Sequence, residues 1–158
     1  MKRRRLIHLL AAAVALAPCG TGPAAAQGNA QLPDPSRFLT GVVADIAAND
    51  YAHAWLSLYP AHQAVAPLDE YLACELKSPI PGRLDSVVVL RSVRATFPVA
   101  GLARRVRGAA VTFRIRISQP LLATSVDIRA TFHAVPWDGS WRWILRSDRY
   151  QMYSEDRC

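Results

Sequence analysis

Lysine is almost missing from this 158-residue chain. Lys2 and Lys77 are the whole supply, so nearly all cationic charge is arginine. Cysteine and histidine are scarce as well, at three and four residues, and none falls in the close spacing that a zinc site needs, so no metal is expected. There is no glycine-rich phosphate loop, no G-x-S-x-G elbow and no zinc-ribbon spacing, which removes the usual signs of a nucleotide-binding enzyme or a serine hydrolase. No cofactor is expected. No internal repeat marks a solenoid. No apolar run reaches the roughly 20 residues of a membrane-spanning helix.

What is present begins with Met1-Lys2-Arg3-Arg4-Arg5. A mostly apolar run from Leu6 to Leu16 follows, then small residues ending Ala24-Ala25-Ala26. A basic start, a short apolar middle and an A-x-A-like site are the three parts of a secretory signal. Cleavage is expected after Ala26. The alternative, lipid attachment at Cys19, is disfavoured because Pro18 is a poor neighbour for it. The chain thus divides into a signal peptide (1–26), a polar linker (27–33) and one domain (34–158), placed outside the cytoplasm: secreted, periplasmic or in the cell envelope, with no membrane span after processing. The full chain is formally +7, but removing the signal leaves 15 basic against 12 acidic residues. The basicity is mostly an export signature rather than a nucleic-acid one. Removal of Cys19 also leaves Cys74 and Cys158 as a single pair, which an oxidising compartment would join as a disulfide.

Asp34-Pro35 is a helix start, followed by Phe38, Leu39, Val42, Val43 and Ile46 at helical spacing. Asp50 can cap a second helix that Pro60 ends or kinks, and Pro67 can open a third, bearing Tyr71 and Cys74. Beyond Pro79, Pro81 and Gly82 the pattern changes to strands. Leu84 to Val99 is valine-rich, with broken alternation near Arg91 that fits a bulge. Val111 to Ile117 and Val126 to Ala134 alternate apolar with polar. Asp138-Gly139 signals a hairpin into Trp141, Trp143 and Leu145. This is an α+β domain: three N-terminal helices packed on a curved antiparallel sheet of about four strands.

That order of elements, with Asp50-Tyr51-Ala52-His53-Ala54-Trp55-Leu56, Tyr59-Pro60 and Asp138-Gly139-Ser140-Trp141, resembles the nuclear-transport-factor-2-like superfamily. The resemblance covers Asp34 to Tyr150. It implies a cone with a pocket at its wide end, in a family that holds isomerases, dehydratases, polyketide cyclases, transport factors and exported domains without assigned role. Fold alone therefore does not choose a function.

The ketosteroid-isomerase-like members use an Asp base with a Tyr and a protonated Asp. Here the inward positions of the last three strands, among them Phe113, Ile115, Val126, Ile128, Phe132, Trp141 and Trp143, include no ionisable group. Catalytic candidates are confined to the helices: Asp50, Tyr51, His53 and Tyr71, with His53 and Asp50 as a conceivable acid–base pair and Asp45 nearby. Phe113, Phe132, Trp141 and Trp143 are the candidate lining of an apolar pocket. Between Arg104 and Arg149 there are nine arginines against three aspartates, and strand parity puts Arg114, Arg116, Arg129, Arg142 and Arg146 on the outward face. That face suits an anionic envelope polymer, anionic lipid head groups or an acidic protein, or simply solvates the sheet. Nucleic acid is not expected, since no aromatic residues interleave with the basic ones for base stacking. The sequence favours a non-enzymatic exported binding domain, using the pocket or the arginine face. An isomerase or lyase of the ketosteroid-isomerase or polyketide-cyclase type is the alternative, and a structural envelope component without ligand is the third.

Overall fold

Caps and prolines set where the helices begin. In the computed structural model, which describes residues 32–119 and 123–158, α1 runs Pro35–Ala47 with Pro35 in its first turn and Asp34 accepting the Ser36 N–H at 3.0 Å. The signal segment, Cys19 and most of the linker lie outside the described residues. α1 buries Leu39, Val42, Val43 and Ala47 along one face. Asn49 then turns the chain at φ 59 and its amide grips Ile80 in both directions, accepting from Ile80 N at 2.8 Å and donating to Ile80 O at 3.1 Å. α2 (Tyr51–Leu56) is capped by Asp50, which accepts the His53 N–H.

The sequence leads one to expect three helices here; there are four. Pro60 opens α3 (Pro60–Val65), and α4 (Leu68–Glu75) follows Pro67. The break comes after Ser57, which caps α2 in a turn; Leu58 and Tyr59 then pair with the sheet. Leu58 bridges Trp143 in parallel, Tyr59 N donates to Trp143 O at 2.8 Å, and Trp143 N donates to Ser57 O at 3.1 Å. A helix through this segment would forfeit those bonds.

The sheet is a curved antiparallel meander, β1 (Arg83–Phe97), β2 (Val106–Gln119), β3 (Thr124–Trp137) and β4 (Ser140–Trp143), in that spatial order. β1 carries two register shifts against β2, between Leu84 and Ser86 and between Val89 and Arg91, the second where alternation fails in the sequence. β2 and β3 pair without a break over eleven positions. Asp138 (φ 47) and Gly139 (φ 70) form the tight turn into β4. β4 ends at Trp143, so Leu145, expected in a strand, is buried outside it, and the chain enters an unforeseen helix α5 (Ser147–Ser154). With mostly polar residues, that segment offers no apolar period to read.

The core joins Leu39, Val43 and Ala54 of the helices to Val111, Phe113, Ile115 and Ile117 of β2. Trp141 and Trp143 bury their rings and find acceptors for their N–H groups, at Pro33 O and Ala54 O, each 2.7 Å away. Val126 and Ile128, expected inward, have the right parity but remain 44% and 41% exposed, because among the described residues no helix covers that end of β3. On the opposite face, Val135 starts a small second cluster with Val99 and Ile144.

His62 is the one buried polar side chain among the described residues. Leu145 N donates to its Nδ1 at 3.0 Å, so Nε2 carries the proton and donates to Ala100 O at 3.1 Å. Burial pulls its pKa below the ordinary histidine value, and the Ala100 bond only partly offsets this. Burial lowers His133 likewise. Both contributions to stability are complete above about pH 6.5 and are lost as pH falls through the depressed folded values, because the unfolded chain then binds more protons. Urea unfolding should therefore show declining stability below about pH 6.5. His62→Ala should cost about 3 kcal/mol at neutral pH, from two orphaned backbone groups and a cavity, and should shrink that decline.

Candidate functional site

β4 is short, so among the described residues nothing continues the sheet beside the first part of β3. In that space lies a cleft of about 670 Å³. Ile128, Ala130 and Phe132 of β3 form one wall, Ile46 at the end of α1 adds to the apolar lining, and Tyr71, Glu75 and Arg149 bring polar groups from α4 and α5. His133 stands at one end, edge-on to Phe97 at 4.8 Å between ring centres.

The polar side of the cleft is a closed network. Glu75 accepts from Arg149 and, at 2.8 Å, from the Tyr153 hydroxyl. Arg149 and Tyr153 are four residues apart on α5 and so share a face. Beside them Cys74 and Cys158 form a disulfide with Cα atoms 5.5 Å apart, tying α5 to α4. Tyr71 packs on Tyr51 and Tyr153, with ring centres 6.4 Å and 5.9 Å away. Burial first, and the Glu75 charge second, push the Tyr71 hydroxyl far above the usual phenol range. Burial, then the Glu75 hydrogen bond, does the same for Tyr153. The cleft thus presents apolar side chains, the Tyr71 phenol, the His133 imidazole and a rim with Arg129 and Arg146, while its carboxylate is held by two donors. That set can orient an acceptor group on an apolar molecule. It offers no free carboxylate base.

Of the candidate residues, Tyr71 lines the cleft, as do Phe132 and Trp143. Phe113 and Trp141 are sealed in the core. Tyr51 is buried and donates to Asn49 Oδ1 at 2.7 Å. Asp50 and His53 do not form an acid–base pair: Asp50 is a helix cap, and the imidazole of His53 meets Asp45 instead, at 3.2 Å on the surface. Asp45, Asp50 and His53 do bring ligand atoms within 4.8 Å of one another, which their spacing in the sequence does not announce. Each already has a partner within the chain, and the cap and the His53–Asp45 contact account for the cluster. Glu75, Arg149 and Tyr153 escape sequence reasoning because α5 does. The Cys74–Cys158 pair is the available clue, since it brings the end of the chain against Glu75.

The five arginines expected on one face divide. Arg114, Arg116 and Arg129 are on the outer sheet face, with Arg114 directly opposite Arg129 and Arg116 doubly bonded to Asp127 at 3.0 and 2.7 Å. Arg142 turns aside to donate to Leu56 O at 2.8 Å. Arg146 lies beyond β4 and pairs with Asp148 at 2.6 Å. Arg91 joins the outer face, opposite Thr112, because the bulge at Leu90 reverses the alternation.

No protein-family model matches the chain, and no curated protein matches it.

The disulfide closes a loop spanning 84 residues, for which chain entropy sets an upper bound of about 4–5 kcal/mol. A Cys74→Ser, Cys158→Ser variant should lose about 3 kcal/mol in urea unfolding, with α5 released first in hydrogen exchange. Native oxidised protein should yield no alkylatable thiol from this pair; recovery of two would disprove the bond.

Proposed function

We propose that the chain is an exported binding domain of the nuclear-transport-factor-2-like kind, and that the cleft beside β3 holds a small, largely apolar molecule bearing one hydrogen-bond acceptor. The cleft carries this reading: Ile46, Ile128, Ala130 and Phe132 give it an apolar wall, it is open to solvent, and the Tyr71 hydroxyl, its pKa raised by burial, is a donor at its edge. Helices followed by an antiparallel meander, with the Asp138-Gly139-Ser140-Trp141 turn, support the family assignment. The signal-like first 26 residues and the intramolecular disulfide support export. Among the described residues no helix is long and apolar enough to cross a membrane.

Binding is preferred to isomerase or lyase chemistry because such chemistry needs a base free to take a proton from substrate. Glu75 is the carboxylate at the cleft, and Arg149 and Tyr153 both hold it. The expected outcome is saturable binding of an apolar fluorescent probe such as anilinonaphthalene sulfonate, competed by the small molecule that accompanies native protein in mass spectrometry of its exported fraction. Ile46→Arg should abolish the site. Tyr71→Phe should weaken the native molecule about tenfold while sparing the probe, the cost of one lost hydrogen bond. Absence of saturable binding would favour a structural envelope component. Chemical conversion of the native molecule, lost in Glu75→Gln, would favour the enzyme.

A further inference from the structure

The sheet has three places where a strand edge meets the outside, and they are treated differently. The edge of β4 is taken by Ser57–Tyr59. The outer edge of β1 carries two bulges together with Arg91 and Arg94, devices that keep an edge from pairing. The edge of β3 has no bulge, and its charged residues, Asp127 and Arg129, are of opposite sign. Among the described residues its regular backbone from Thr124 to Phe132 pairs with β2 alone; on the other side the next bond is Ile144 N to His133 O. Residues 124–129 are exposed on both faces, including apolar Val126 and Ile128. On the outer face Arg129 stands across from Arg114, like charge against like, with no acidic partner among the described residues.

We propose that this edge pairs with the same edge of a second copy, antiparallel, about a two-fold axis through Ile128, joining two four-stranded sheets into one of eight strands. In a continuous sheet opposed residues point to the same face, so the axis must pass through a residue. An axis through Asp127 would oppose the two copies of Asp127, and one through Arg129 would oppose the two arginines. An axis through Ile128 sets Asp127 against the partner's Arg129, twice by symmetry, with Ile128 on the partner's Ile128 and Val126 on the partner's Ala130. On the outer face the row then reads Arg116, Asp127, the partner's Arg129, the partner's Arg114. Each aspartate lies between two arginines, and the Arg114–Arg129 repulsion within one chain is relieved. A second copy fits better than an arbitrary peptide because the match in charge and shape is already written in Asp127-Ile128-Arg129. One strand pair is a small interface, so the dimer dissociates on dilution and weakens with salt. It does not depend on the identity of any cleft ligand.

The test is the mass of the oxidised, exported protein by sedimentation equilibrium, across concentration and salt. Wild type is expected to be a salt-sensitive dimer. Arg129→Asp and Asp127→Arg, each made alone, should be folded monomers by circular dichroism, since each opposes like charges across the axis. An equimolar mixture of those two single variants should recover the dimer, as should the double variant that exchanges the two residues. A wild-type monomer at all concentrations would overturn the proposal, even if the edge then captured an acidic peptide. So would a dimer that survives both single variants, or a mixture that stays monomeric.

Discussion

The backbone of Trp143 is shared between the last strand and the segment between α2 and α3, and most of the architecture follows from that. Its N–H and C=O go to Ser57 and Tyr59, and its indole donates to Ala54. Once those groups are committed, no further strand can add beside β4, and the chain has to leave the sheet. It does so through Leu145, whose N–H is received by buried His62, and then forms α5. The open stretch of β3, the cleft against it and the approach of α5 to α4 are all consequences of a strand four residues long.

The terminal helix has little apolar surface of its own, so packing alone would hold it weakly. It is fixed instead by polar and covalent links: Glu75 with Arg149 and Tyr153, and the Cys74–Cys158 bond. These same links make the polar wall of the cleft. A carboxylate that receives two hydrogen bonds in a partly buried site has its charge satisfied by the fold, and removing a donor would leave it exposed to whatever else enters. That is why the wall suits recognition: its groups are held in place before a ligand arrives, and Tyr71, kept protonated by burial, adds a donor whose state does not change with ordinary pH.

The sequence was legible where a local rule acts alone. Asp34-Pro35 and Asp50 cap the helices they announce, the alternation of Val111 to Ile117 is a strand with one buried side, and Asp138-Gly139 is the turn it looks like. It was illegible where long-range pairing overrides propensity. Ser57–Tyr59 read as the end of a helix but serve as a sheet edge, and Ser147–Ser154 form a helix whose anchors are far away in sequence. The arginine face was half legible for the same reason: parity holds along regular strands, places Arg114, Arg116 and Arg129, and fails at the Leu90 bulge that brings Arg91 round and beyond β4 where Arg146 turns away. The cleft could not be read because its polar members come from elements joined only by tertiary contacts and a disulfide.

Both functional proposals fall on one strand, and this has a physical consequence. Inward side chains of β3 from Ile128 to Phe132 wall the cleft, while the backbone between them is the unpaired edge. A strand added there lies along the mouth of the cleft and changes how much of any ligand is withdrawn from water. If ligand binding and pairing of the edges each alter the other's free energy, they must do so equally, since the two orders of assembly reach the same state. The strand divides the two tasks by face only in part: apolar Ile128, Ala130 and Phe132 look toward the ligand and Asp127 looks outward, while Arg129 helps to fix the register and also lines the cleft. A substitution at Asp127 should then act on association first and reach the cleft only through it.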